Sequence, residues 1–261
     1  MNRFTMTLED KKDVYMYAQN GVDEILVYLK GYSFSGLRQF ELDEIRDLVQ
    51  KADSCNLRVS VSMNRLFFPD ELDQSKEMLE KVCEAGASSV QCGDMALFRH
   101  AEKTGIAEKL VYQPAMLVTN RFDAAGWMDT GIGGIVISPL LTAEEIQNIA
   151  HVVRQTRLLI HGHMLMSISG RKLVGAYEKE TGIKNLQRQG LSLREEKRDG
   201  LMPVYEDDRG TYIYSDYVLH SFLHMEELKE VQTFEISTLR LDPEEAVFAL
   251  QEYRGRLYAI K

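Results

Sequence analysis

The stretch ELDEIRDLVQKADSCNLRVSVSM, Glu41 to Met63, joins two patterns of different period. Leu42, Ile45, Leu48 and Val49 fall on one helical face, and the run that follows, Leu57 to Met63, is short and β-rich. A helix feeding a strand in this order is half of a βα repeat, and the repeat extends in both directions. Strand-like runs lie at Phe4 to Met6, Glu24 to Leu29, Leu57 to Met63, Ser88 to Cys92, Leu110 to Pro114, Gly134 to Ser138, Arg157 to His161 and Thr233 to Ser237. Most are separated by about 20 to 30 residues, the interval of βα units around a parallel sheet. Between them LEDKKDVYMYAQNG stops at Gly21, ELDQSKEMLEKVCEAG stops at Gly86, and LTAEEIQNIAHVVRQT opens on Thr142 with Glu145 three residues later, the spacing of a capping box.

Eight strands with seven crossovers predict an α/β protein of the (β/α)8, TIM-like barrel type, with an open doubly wound sheet as the alternative. Any active site is then expected at the C-terminal ends of the strands. A chain of 261 residues, 44% hydrophobic, suits one barrel domain over 1–261. The connection 171–231, between the seventh and eighth strands, exceeds an ordinary crossover and is expected to add structure over the barrel mouth. Within it EEKRDG (Glu195 to Gly200) and EDDRG (Glu206 to Gly210) read as solvated turns flanking a short strand pair.

The apolar runs Glu24 to Leu29 and Gly134 to Leu141 fall well short of the roughly 20 residues that cross a bilayer, and the N-terminus lacks the apolar core of a secretory signal. A cytoplasmic protein without a membrane partner is expected. Cys55, Cys83 and Cys92 are odd in number and lack CxxC spacing, which argues against a disulfide framework and against a self-contained zinc or iron-sulfur site. The net charge is -9, yet residues 151–200 carry ten Lys/Arg against five Asp/Glu. An acidic body with one basic segment disfavours nonspecific polyanion binding while leaving one face able to receive a polyanion, or the segment is simply solvated.

The residues able to carry chemistry cluster late in the chain. His161 and His163 form an HxH pair at a strand end, where strict alternation would put both rings on one face; Glu235 is the one further metal ligand to consider, and no metal is expected. Alternatively one histidine packs and the other faces the mouth. Ser167, Ser169, Arg171 and Lys172, in SISGRK, put two hydroxyls, a glycine and two cations at one turn, which suits either a phosphate or carboxylate or a plain glycine turn. Asn64, Asp94 and Gln113 stand at strand ends, Met63 and Met116 suit core gaps, and Lys184 and Arg188 extend the basic segment as RNA- or anion-binding candidates.

The stretch IHGHMLMSISGRKL, Ile160 to Leu173, resembles the signature of the bacterial collagenase-like peptidase family, peptidase family U thirty-two. Glu41 to Asn64 is similar to the family's second helix and third strand. EEKRDGLMPVYEDDRGTYIYSDYVL, Glu195 to Leu219, is similar to its EEKR, GTYI and Ser-Asp elements, and TFEISTLRL, Thr233 to Leu241, stands where the family has FKIEGR. The resemblance covers about residues 20 to 245.

The resemblance implies a barrel that handles RNA. Characterised relatives hydroxylate tRNA wobble uridine, ribosomal RNA or a quinone ring, many with a cysteine-held iron-sulfur cluster and, for the RNA reactions, prephenate. The length is similar to the short Gram-positive paralogue associated with tRNA 5-hydroxyuridine formation. The chain departs from the pattern at specific places. Leu165 and Lys172 replace two cysteines, Pro139 and Leu140 replace an Arg-Glu pair, and Ser237 and Leu239 replace a glutamate and an arginine. Leucine and lysine cannot supply cluster thiolates, so no iron-sulfur cluster is expected. The resulting expectation is an accessory or divergent subunit beside a cysteine-bearing paralogue and tRNA. The alternatives are a peptidase, as the family name implies, and a noncatalytic barrel that binds a small anion.

Overall fold

The structure, a computed structural model, describes residues 2–114, 118–186, 190–197 and 199–259. Eight parallel strands close on one another: β1 (Arg3–Thr7), β2 (Glu24–Leu29), β4 (Arg58–Met63), β5 (Ser89–Cys92), β6 (Leu110–Tyr112), β7 (Gly134–Ile137), β8 (Thr156–Ser169) and β12 (Thr233–Ile236). Closure comes from β12, which pairs with β1 through Phe4↔Phe234 and with β8 through Phe234↔Leu158. The doubly wound alternative is thereby excluded, and each of the eight strand-like runs lies on a barrel strand. The two-residue β3 (Gln39–Phe40) pairs with the end of β2.

The helices are α1 (Val14–Gln19), α2 (Leu42–Asp53), α3 (Leu72–Glu84), α4 (Met95–Thr104), α5 (Arg121–Met128), α6 (Ala143–Val152), α7 (Leu173–Thr181) and α8 (Pro243–Ala259). The α6 capping box forms, with Thr142 Oγ1 accepting from Glu145 N and Glu145 Oε2 accepting from Thr142 N at 2.8 Å. A second box, with Glu41 as cap and Glu44 as its partner, starts α2. Ile45, Leu48 and Val49 on α2 are buried. They belong to an annular core between strands and helices that includes Ile25, Val59, Val90, Ile135, Leu158 and Phe234. Met63 lies in that core, whereas Met116 is outside the described residues.

The seventh strand does not end at His161. β8 runs on to Ser169, and its outer half pairs antiparallel with β11 (Gly210–His220), from His161↔His220 to Ser169↔Thr211. β10 (Leu201–Asp207) and β9 (Ser192–Arg194) complete this side sheet. The segment EDDRG forms the β10–β11 turn and EEKRDG joins β9 to β10. Tyr212, Tyr214, Leu37 and Leu239 make a second small core where the side sheet meets the barrel. The alternation in MLMSIS, Met164 to Ser169, carries the strand; the HxH and SISGRK motifs drew the sequence reading to a turn instead.

Candidate functional site

Inward-facing positions of small parallel barrels are usually filled by branched apolar side chains. Here the lumen is polar. Glu24, on β2, accepts from Arg157 Nη1 at 2.5 Å and from Thr5 Oγ1 at 3.2 Å. Arg157 Nη2 donates to Ser89 Oγ at 3.0 Å, and Ser89 Oγ lies 2.8 Å from Ser60 Oγ. Nearer the mouth, Glu235 on β12 accepts from Gln91 Nε2 at 2.6 Å and stands 3.7 Å from Arg157 Nη1.

Two buried carboxyls thus share one guanidinium. Burial opposes charge on both, but Glu24 holds Arg157 at close range and stays below the ordinary carboxylate range. For Glu235 burial prevails, reinforced by the Glu24 charge and only partly offset by Arg157 and Gln91, so its pKa is raised. The charge sits on Glu24, and Glu235 is the carboxyl that takes a proton first.

Above this network the C-terminal strand ends surround a cavity of about 100 Å³, lined among others by Tyr28, Gln91, Gln113, His163, Tyr214 and Glu235. None of its lining side chains is a lysine or an arginine. His163 Nδ1 donates to the Ser215 carbonyl at 2.7 Å, so in the neutral ring Nε2 is an acceptor. Tyr214, its pKa pushed up to about 12 by burial, accepts from Gly36 N at 2.8 Å and holds the loop after β2. A wider cleft of about 530 Å³ shares Phe34, Asn64, Gln113 and Leu165 with this cavity and opens outward between Leu66–Phe68, Pro114 and Ile168. Phe68 is 68% exposed at its rim.

The sequence-derived residues separate into several places. Alternation is broken between His161 and His163. The β8–β12 register shifts between Glu235↔Leu159 and Ile236↔His161, and Gly162 takes φ +119°. His161 therefore turns from the lumen to α8, with Nδ1 at 3.2 Å from the Tyr253 hydroxyl, while His163 lines the mouth. Burial, with a further contribution from nearby His220, lowers the His161 pKa. Gln113 lines both cavities. Asn64 lines them too, but its amide braces Phe34, accepting from Phe34 N at 2.7 Å. Asp94 caps α4 through Ala96 N at 2.8 Å and accepts from Phe67 N at 2.9 Å.

Ser167, Ser169, Arg171 and Lys172 lie on the exposed end of β8 and the turn after it. Ser169 Oγ accepts from Arg171 N at 3.2 Å, and Lys172 Nζ pairs with Asp208 at 2.9 Å. Neither serine hydroxyl is within hydrogen-bond reach of His161 or His163, whose Nδ1 atoms are engaged by Tyr253 and Ser215. Lys184 is exposed, and Arg188 lies outside the described residues. The sequence suggests Glu235 only as a metal ligand and does not point to Gln91 or Arg157. Their signal was a charged or amide residue within an apolar strand run. Among the described residues no three His, Cys, Asp or Glu side chains gather to hold a metal.

The model of peptidase family U32 matches residues 9–259. The chain belongs to peptidase family U32. A curated relative, "tRNA hydroxylation protein P2" of Bacillus subtilis, is 25% identical over 250 residues, covering 93% of this chain and 81% of that protein. The U32 peptidase Mk0906 superposes with TM-score 0.57 at 17% identity over 91% of this chain and 92% of that one. Thiamine phosphate pyrophosphorylase from Pyrococcus furiosus (TM-score 0.54, 12% identity, 99% and 96% covered) and phosphoribosyl anthranilate isomerase from Thermotoga maritima (0.54, 11%, 98% and 100%) share the barrel fold.

Three of the six positions at which this U32 chain departs from the signature pattern lie together in space. Leu165, Pro139 and Ser237 all line the mouth cavity. Leu140 is exposed and Leu239 is buried in the small second core. None of the three cysteines lines the mouth cavity. Cys55 is beside the end of α2, Cys83 is on α3, and Cys92 is in the annular core with its thiol pushed well up by burial.

Proposed function

We propose that this U32 barrel is an accessory subunit of tRNA wobble-uridine hydroxylation, acting in the cytoplasm beside a cysteine-bearing paralogue. The observation that carries this reading is the convergence of neutral replacements at the mouth of a chain related over nearly its whole length to a protein named for tRNA hydroxylation. A cluster needs a set of thiolates at one place, and here the donor set does not fit. Leu165 and Lys172 stand at the cysteine positions, and the chain's own cysteines are a core thiol at the end of β5, one just after α2 and one on α3. Redox chemistry on the base is accordingly assigned to the partner.

Proteolysis lacks support in the geometry, because a serine nucleophile must hydrogen-bond its base and both serines lie on the exterior hairpin. Anion binding at Arg171 and Lys172 has to compete with the Lys172–Asp208 pair on an exposed turn. The test is a deletion strain. Its tRNA, digested to nucleosides and read by mass spectrometry, is expected to lack the hydroxylated uridine, and a tagged copy is expected to co-purify the paralogue. Unchanged modification in the deletion strain overturns the proposal. No helix among the described residues is long and apolar enough to cross a membrane.

A further inference from the structure

We propose that the barrel mouth of this chain is the seat of an unstacked RNA base, with the base edge in the inner cavity and a neighbouring base on Phe68. The proposal rests on the tRNA reading above and adds which surface meets the RNA and which part of the nucleotide it takes.

The inner cavity has the wrong chemistry for the anionic parts of RNA. Among the described residues no lysine or arginine lines it, and Arg157, 3.7 Å from Glu235 of the lining, is held by Glu24 and Ser89 below. A phosphate or carboxylate placed there would lose its hydration without gaining a countercharge, which is costly. A neutral planar group with both donors and acceptors on its edge meets complementary partners. His163 Nε2 accepts in the neutral ring, and Glu235 donates when protonated. Gln91, fixed by its bond to Glu235, presents an amide. Donor and acceptor sites on a base edge are what proteins use to read unpaired bases.

A second observation comes from the cleft that shares a wall with the cavity. It is mostly apolar, with Phe34, Phe67, Phe68 and Leu165 on its surface; its two arginines, Arg65 and Arg209, are paired with Glu71, and Phe68 projects at the rim. An exposed ring beside a polar pocket serves as a stacking platform, since every base has an apolar face. A duplex cannot present a base edge this deep, so the ligand is single-stranded or extruded.

The test is complementation of the deletion strain, read as hydroxylated uridine per tRNA with protein level checked by immunoblot. Phe68→Ala, on an exposed side chain, is expected to lower modification about fivefold or more, the small end of what one stacked base contributes. His163→Ala and Glu235→Leu are expected to do the same, whereas Glu235→Gln, which keeps a neutral hydrogen-bonding group, is expected to retain most of it. A deletion strain with normal tRNA would overturn the subunit role itself. A defective deletion strain fully restored by Phe68→Ala and His163→Ala would overturn the base seat and leave the role standing. In a second measurement, single-stranded RNA carrying 4-thiouridine is irradiated with the protein together with its co-purified paralogue. Crosslinks to peptides spanning 64–68 or 163–168 support the seat; crosslinks confined to α7 and β9, or equal yield with duplex RNA, overturn it.

Discussion

Arg157 is the residue on which the barrel interior depends. It is buried, and it neutralises Glu24 while partly compensating Glu235. Removing one partner of a buried ion pair leaves an uncompensated charge, which costs about 3–5 kcal/mol. Arg157→Leu is therefore expected to lose about that much in urea denaturation, and Arg157→Leu with Glu24→Gln to recover a large part of it. Equal losses in the single and double variants would show that the pair is not coupled. The two carboxyls also carry opposite pH signatures. Glu24, depressed, contributes stability above the ordinary carboxylate value of about 4.3 that is lost as pH falls through its folded pKa. Glu235, raised, favours the folded state at low pH, and that contribution is lost as pH rises from about 4.3 through its folded pKa. Glu235→Gln cannot titrate, so its stability is expected to gain on the native chain as pH rises from about 4.3 through the raised folded pKa of Glu235. A difference between the two urea midpoints that is flat over this range would contradict the assignment.

At the scale of the element, β8 shows what pattern reading captures and what it misses. Its barrel half was legible because Leu158 and Ile160 belong to the annular core, and parallel strands buried on both faces read as short apolar runs. The other barrel strands were legible for the same reason, and the α6 cap because Thr142 and Glu145 have fixed spacing. The direction of His161 was not legible, because the register shift beside Ile160 has no composition of its own and Gly162 was read only as part of a motif. Nor was the lumen, since the rule that polar residues face solvent fails where Glu24, Arg157 and Gln91 satisfy one another inside the barrel. Gly162 is the physical basis of the turned histidine. A Cβ there would come within 2.6 Å of the Ser237 carbonyl oxygen, and φ +119° is strained for any residue with a side chain. Gly162→Ala is expected to cost at least about 1–3 kcal/mol. Because Gly162 lies between Ser237 and His163 at the mouth, the variant is also expected to lower hydroxylated uridine more than its loss of protein level explains. Native-like urea midpoints for Gly162→Ala would remove this account of β8.

For the whole molecule, charge distribution decides how RNA is met. Folding removes Arg157 from the basic segment read along the chain, and the count over the hairpin region is balanced. Arg157 is inside the barrel, and residues 170–220, which form the side sheet and α7, hold nine Lys/Arg and nine Asp/Glu. Lys172 is paired with Asp208, and Arg209 with Glu71 across to the loop after β4, which ties the β10–β11 turn to the rim of the cleft. Phosphate contacts supply most of the affinity for nucleic acid, and they scale with available cations. A chain of net charge -9 with its exposed cations balanced in this way is built to select a base, with the paralogue supplying the grip on the backbone. Purified protein alone is accordingly expected to bind tRNA no more tightly than about 10⁻⁴ M near physiological salt, the weak end of nonspecific binding. Addition of the paralogue is expected to bring saturable binding whose salt dependence follows the paralogue's cations. Fluorescence anisotropy across a salt series checks both halves, and micromolar binding by this chain alone would mean that its backbone contacts lie on a surface other than the neutral mouth and the balanced side sheet.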